Sequence, residues 1–446
     1  KQLLLARDLT RQTLIGATNP MPLVNSDGYW YYDTQGSRNE TFVREHRAVS
    51  MVTRIKDWAS DPHDYYLIEF KSVISLNLAR IDKDVGPELM ARIRDPEDHC
   101  YMILENFHEG FSNLISEIYE WVIDRYDIPP HKLILFSGAL DLQDKFDTFI
   151  SKTGREPFQY HSMLEFEFSV QSDWFGMIAD KHGIYARNAG SDINPYGIDD
   201  QVANGKAKMP NVLQSKEYTK KYLNFNRRWR LHRPLMTALL ESADLLKLGY
   251  VSLARSDDNR TWTTELDYII QESSQYNEGI HRVLVNNRKK ISEIGELTLD
   301  KPDLSINQAK LETSDDIDGM YEDTYFSLVS ETIFFSDYLD WEDSCFLSEK
   351  IFKAILFRHP FVLCATPHTL KYLKAIGYKT YSPVIDESYD SIEDNWLRLV
   401  AILKEVNRLC KLEGDALEDY LKFCREIAEH NFQVLTHKKE FIYKHT

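Results

Sequence analysis

The chain has 446 residues, 43% of them hydrophobic, enough for two cores of roughly 150 to 220 residues each and too much for one small module. Asp and Glu number 70 against 53 Lys and Arg, and the formal charge of -17 opposes general attraction to nucleic acid or anionic lipid. Five cysteines, Cys100, Cys345, Cys364, Cys410 and Cys424, are scattered without metal-ligand spacing, which predicts buried thiols in a reducing compartment rather than disulfides.

The sequence opens with Lys1 and an apolar run of only Leu3 to Ala6, so no secretory signal is expected within it, a leader already removed being the alternative. No later run approaches the roughly 18 to 20 apolar residues of a membrane span, so a cytoplasmic protein is expected. Tyr65 to Phe70 is a candidate strand, and Tyr101 to Leu104 a buried one that runs into the polar stretch Glu105 to Gly110. Asn113 to Tyr126 has helical spacing, with Leu114, Ile115, Ile118, Trp121 and Val122 on one face, and Pro129-Pro130 bars its continuation. Lys132 to Phe136 reads as a strand, Ser137-Gly138-Ala139 as a turn, and the stretch through Phe146 and Ile150 as a helix. Residues 188 to 212, rich in Asn, Gly, Asp and Pro, read as a domain connection or an active-site loop.

A second succession opens with the strand Lys221 to Asn226 and the basic segment Arg227 to Arg233. Pro234, Leu235, Leu239, Leu240 and Leu245 indicate a helix ended by Gly249, before a strand at Tyr250 to Leu253. Tyr325 to Val329 is a strand, Phe346 to Phe357 a helix, Pro360 to Leu363 a strand, and His368 to Ile376 a helix ended at Gly377. Residues from about Ile392 to His430 are mainly helical. Alternating strands and helices predict an α/β fold of two Rossmann-like domains, 1–215 and 216–400, with a helical segment 401–446 bracing them.

The richest constellation runs from Glu331 to Asp390. Glu349 and Lys353 stand one helical turn apart, and Ser348 is placed to cap that helix. Such a carboxylate accepts hydrogen bonds from sugar or ribose hydroxyls, while Lys350 or Lys353 answers phosphate charge. An exposed ion pair is the plain alternative for this spacing. Upstream, Asn226 to Arg233 follows a strand and opens a helix, so side-chain charge and free backbone N–H groups together suit a diphosphate, with Arg228 and Arg230 foremost and Arg233 after them. The alternative there is a solvated basic helix start.

Glu331, Leu347-Ser348-Glu349-Lys350, the following Phe352-Lys353-Ala354 helix, Pro360-Phe361-Val362, His368-Thr369-Leu370, Gly377-Tyr378 and Asp386-Glu387-Ser388-Tyr389-Asp390 together resemble the C-terminal donor domain of fucosyltransferase-like glycosyltransferases. The resemblance implies two facing Rossmann-like domains, the GT-B arrangement, and a nucleotide-sugar donor held by Asn226, Arg228, Arg230, Glu331, Ser348, Glu349 and Lys350. It also implies transfer to an acceptor hydroxyl with inversion. The loop Asp340 to Cys345 differs from the shorter Asn-Ser-rich approach of fucosyltransferases, leaving sugar and base open. Asp390 has the second reading of a helix cap. No cofactor and no metal are expected, because Arg, Lys and helix N-termini can stabilise a departing diphosphate.

For the acceptor side, Glu109 and then His108 are the candidate bases, since they follow the Tyr101 to Leu104 strand where α/β proteins assemble sites. A loop-fixing His108 and a helix-capping Glu109 are the alternatives, and His161 and Glu165 are the reserves. The expected partners are the donor and a glycan or small hydroxyl-bearing acceptor. Modified DNA is a competing acceptor, met by Arg227 to Arg233 or by Arg288-Lys289-Lys290, which otherwise reads as a solvated loop. An inactive nucleotide-sugar-binding protein is the other competing function.

Overall fold

The computed structural model describes residues 23–24, 30–31, 64–69, 81, 87–98, 100–106, 114–164, 166–167, 170, 213, 216–226, 230–254, 261–274, 278–295, 297, 315–335, 344–437 and 442–444. The chain separates into two compact units, Lys1–Glu165 with Glu440–Thr446, and Phe166–Lys439. The expected connection at 188–212 lies outside the described residues.

In the first unit, β1 (Leu23–Val24) and β2 (Trp30–Tyr31) form a small antiparallel pair. The main sheet holds β3 (Asp64–Glu69), β4 (Cys100–Asn106), β5 (Leu133–Ser137) and β6 (Gln159–Met163), each parallel to its predecessor in the chain. The last strand of the protein, β11 (Ile442–Lys444), adds to β6 antiparallel, a pairing the sequence reading lacks. Every residue of β5 is buried, as a continuous apolar run requires in a sheet covered on both faces. The helices are α1 (Pro87–Arg94), α2 (Leu114–Ile118), which runs into a π-helical turn at Tyr119–Asp124, and α3 (Leu142–Thr153). Ile115, Ile118, Tyr119, Val122, Ile123 and Tyr126 form the buried face of the second. Trp121, expected on that face, is rotated off it and is 40% exposed. Lys132, expected as a strand residue, sits one position before β5, fully buried, with its ammonium donating to the Asp98 carbonyl.

The second unit is built on four parallel strands, β7 (Tyr222–Asn226), β8 (Gly249–Leu253), β9 (Phe326–Ser330) and β10 (Phe361–Cys364). Helix α4 (His232–Ser242) joins β7 to β8. Between β8 and β9 come α5 (Trp262–Ser273), α6 (Glu278–Ile294) and α7 (Asp315–Glu322). Helix α8 (Glu349–Leu356) joins β9 to β10, and α9 (Thr369–Ala375), α10 (Asn395–Leu409) and α11 (Gly414–His437) follow. The spatial order β10-β9-β7-β8 places β8 on one side of β7 and β9 on the other. Connections leaving β7 and β9 therefore diverge, which makes the C-terminal ends of these two strands the switch point where open α/β sheets leave a crevice.

Two local expectations change. Gly249 does not end a helix: α4 stops at Ser242, and Gly249 opens β8, where a Cβ would lie 2.4 Å from the Tyr222 ring. Arg288-Lys289-Lys290 lies on α6 rather than in a loop, with Arg288 Nε 2.6 Å from Asp267 Oδ1. Cys345, Cys364, Cys410 and Cys424 are buried free thiols. Among the described residues no helix is long and apolar enough to cross a membrane. The chain thus has an α/β architecture with two separate, largely parallel sheets flanked by helices.

Candidate functional site

The switch point gathers most of the described residues that the sequence singles out. Glu331 follows β9 directly, with its backbone N–H donating to the Cys364 carbonyl at the end of β10. Its side chain is fully buried and turns toward the start of α8, where Oε2 accepts from the Ser348 backbone N–H at 3.1 Å and from the Ser348 hydroxyl. Ser348 is the N-cap of α8, and its hydroxyl oxygen also receives the Lys350 ammonium at 3.0 Å. That ammonium continues to Glu349 Oε1, again at 3.0 Å. Glu331, Ser348, Lys350 and Glu349 are thereby one connected network at a helix N-terminus. The ion pair of Glu349 is with Lys350 next to it, with Lys353 contributing only through its field.

One oxygen of each carboxylate stays open. Glu331 Oε1 and Glu349 Oε2 are both buried without a hydrogen-bond partner. Asn226, at the end of β7, is in a similar position: its amide nitrogen donates to Asn224 Oδ1 at 2.5 Å, its backbone N–H to Ser252, and its Oδ1 is buried without a partner. Asn224 in turn donates to the Leu328 carbonyl and to Ser330 Oγ, tying β7 to β9 beneath the crevice.

Two buried side chains, a neutral imidazole and a guanidinium, hold the backbone at this point. His232 Nε2 donates to the Glu331 carbonyl at 3.0 Å, and the Arg233 guanidinium donates to the same carbonyl at 3.1 Å and to that of Ser330 at 3.2 Å. Arg233, expected among the phosphate contacts, is spent on backbone oxygens beneath the surface. His232 also stacks on Phe334, with ring centroids 5.2 Å apart. Arg230 is exposed at the entry to α4, close enough to both residues to depress their protonation.

Burial dominates the electrostatics. It pushes the His232 imidazole well below its ordinary range, helped by Arg233, so the ring is neutral with its proton on Nε2. It lowers Arg233 to about 10. It raises Glu331 against the opposing pull of Lys350 and Ser348, and lowers Lys350 against that of Glu349. For Glu349 burial works against ionisation, but Lys350 and Lys353 outweigh it and hold the carboxyl below the usual range. The result is a low-dielectric cluster of charged groups with two carboxylate oxygens left unpartnered.

Other candidates divide sharply. Arg228, His108, Glu109 and Glu165 lie outside the described residues. His161 is buried in β6, its Nε2 3.0 Å from Gln159 Nε2. Asp390 spends its carboxylate on the Leu370 backbone N–H at 3.1 and 3.2 Å, the capping alternative rather than an open ligand group. His232, Phe334 and the buried Arg398 are the residues sequence reasoning passed over. His232 lay inside the basic segment already noted, whereas Arg398 makes its hydrogen bonds to backbone carbonyls and Asn395 rather than to Asp394 one turn before it. Among the described residues no three His, Cys, Asp or Glu side chains are grouped so as to hold a metal ion. Comparison of the chain with protein-family models and with curated proteins finds no match in either.

Proposed function

We propose that the chain is a glycosyltransferase that takes its sugar from a nucleotide-sugar donor bound at the C-terminal ends of β7 and β9. The observation that carries this reading is the pair of buried carboxylate oxygens, Glu331 Oε1 and Glu349 Oε2, left without partners while the other oxygen of each is engaged. A buried acceptor without a donor costs about 1 to 3 kcal/mol, more when charged, and a hydroxyl-rich ligand removes that cost. Arg230 and the N-termini of α4 and α8 supply positive potential for the diphosphate, with no metal required. The resemblance of Glu331 to Asp390 to fucosyltransferase-like donor domains adds support from sequence.

In this reading the first unit serves the acceptor, as in the facing two-domain GT-B enzymes that the sequence resembles. The acceptor oxygen bonds to the anomeric carbon while the bond from that carbon to the diphosphate oxygen breaks, and the electron pair leaves with the nucleotide diphosphate. Inversion follows from attack opposite the leaving group. The acceptor's proton goes to Glu109, with His108 next in order, as general base.

The test is calorimetry with a panel of nucleotide sugars on the parent protein and on Glu349→Gln. Removing a charged acceptor should weaken the bound donor about 10- to 100-fold while leaving the fold intact. Absence of binding across the panel, or equal affinity in Glu349→Gln, overturns the assignment. Donor binding without transfer to any hydroxyl acceptor would instead mark a protein that has lost catalysis.

A further inference from the structure

Arg398 lies on α10 and is only 1% exposed, yet none of its hydrogen bonds goes to a carboxylate, and Glu393, Asp390 and Asp394 act on it through their field alone. Its five N–H donors are all engaged. Nε donates to the Ala365 carbonyl at 3.1 Å; one terminal nitrogen donates to the Ile392 and Glu393 carbonyls at 2.7 and 3.1 Å. The other donates to the Phe334 carbonyl and to Asn395 Oδ1, both at 2.6 Å. The guanidinium carbon also stands 4.4 Å from the centre of the Phe334 ring. One side chain thus joins the segment after β9, the segment after β10 and the start of α10.

The segment after β9 carries Glu331, and both of its ends are held by buried arginines. Arg233 grips the Ser330 and Glu331 carbonyls, and Arg398 grips Phe334. Between these grips the Phe334 ring lies nearly parallel to His232, at 23°, and His232 donates to the Glu331 carbonyl. A continuous line of contact runs from Arg398 through Phe334 and His232 to the backbone of Glu331. A buried charge satisfied by four backbone carbonyls and one amide oxygen is expensive to keep, and its planar five-donor fork cannot be matched by lysine's three donors.

We infer that Arg398 is a positioning residue for the switch-point site: through Phe334 and His232 it fixes the segment that aims the Glu331 carboxylate, without touching the ligand itself. The inference rests on the donor-site reading for its functional meaning, but its physical core is independent of any ligand. Pre-arranging a carboxylate in this way removes an ordering cost that the ligand would otherwise meet on binding.

The experiment uses the full chain as Arg398→Lys and Phe334→Leu, with Leu266→Ala in α5 as a buried change elsewhere. Two quantities are measured under conditions where each protein is folded. The first is the tautomer of His232, from long-range nitrogen–proton NMR on histidine-labelled protein, and the second is the affinity for whichever nucleotide sugar the parent binds. In the parent, His232 should hold one tautomer with the proton on Nε2. Arg398→Lys should mix the tautomers and weaken the nucleotide sugar about 10-fold, and Phe334→Leu, which keeps the carbonyl but removes the ring, about 3-fold. Leu266→Ala should change neither quantity. The positioning role is overturned if Arg398→Lys and Phe334→Leu both keep the parent tautomer and affinity, or if Leu266→Ala moves both quantities as much as they do. Should Arg398→Lys fail to fold, Phe334→Leu decides by the same two readings. If the parent binds no nucleotide sugar, the donor-site reading falls, and the tautomer alone decides the role of Arg398.

Discussion

Two acidic clusters occupy the second unit, and they spend their oxygens differently. Between α9 and α10, Glu387 Oε1 accepts from the Tyr381 and Ser382 N–H groups at 2.7 and 3.1 Å, while Oε2 accepts from the Thr380 hydroxyl at 2.7 Å. Asp386 caps its own turn through the Ser388 N–H, and Asp390 caps α9 through Leu370. After β9, by contrast, Glu331 and Glu349 each keep one buried oxygen open. Sequence alone made both clusters candidates for the donor side. What separates them is whether the fold itself supplies all the donors: the acids between α9 and α10 engage backbone N–H and hydroxyl groups, whereas Glu331 and Glu349 each retain one unpartnered acceptor oxygen, which the donor-site proposal assigns to a ligand.

This contrast can be broken most forcefully at Lys350. Its side chain is 16% exposed and that of Glu349 is 11%, so Lys350→Met strands a largely buried carboxylate. The loss of stability should be about 3 kcal/mol, the lower part of the range for breaking a buried ion pair. Urea denaturation measures it, and a loss under about 1 kcal/mol would mean that Lys353 and nearby helix N–H groups already compensate Glu349.

A smaller effect is expected at Glu387. Glu387→Ala removes the acceptor for two backbone N–H groups and one hydroxyl, which should cost about 2 kcal/mol of stability. Affinity for the nucleotide sugar should stay within about 2-fold of the parent, since no ligand contact is lost. An affinity loss matching that of Glu349→Gln would erase the distinction between the two clusters.

The strands were legible because they are short apolar runs. Leu133 to Phe136, Phe326 to Val329 and Phe361 to Leu363 are buried on both faces, so composition alone announces them. The strand β11 was not, because Ile442–Lys444 is three residues whose partner, β6, lies far back in the chain. At the candidate site, Ser348 as N-cap and Glu349 beside it follow from local spacing, whereas the convergence of Glu331 with Ser348 depends on β9 and α8 being brought together. The role of Arg398 was invisible for a different reason. Glu393 and Asp394 stand just before it in sequence, but its hydrogen-bond partners are mainly backbone carbonyls, and every residue type has one. Arg233 was noticed for its charge, and its donation to the Ser330 and Glu331 carbonyls was invisible for the same reason.

The finest test of the contrast is a pH dependence at Asp390. Burial raises its carboxyl from the ordinary 3.8 to about 6, against the Leu370 N–H and the charge of His368, which pull it down. A carboxyl whose pKa is higher in the folded chain than in the unfolded one holds its proton more tightly when folded. Its contribution to stability is therefore complete below about pH 4 and is lost as the pH rises through about 6. Asn at this position is neutral at every pH and still offers an oxygen to the Leu370 N–H. Asp390→Asn should accordingly match the parent near pH 4 and exceed it at pH 8 by on the order of 1 kcal/mol, a value reduced from the full shift for partial solvent access. Denaturation curves at both pH values measure the difference. If Asp390→Asn is instead less stable at pH 8 and equal at pH 4, the ionised carboxylate stabilises the start of α9 by more than its burial costs, and Asp390 gains from its charge as Glu349 does beside Lys350.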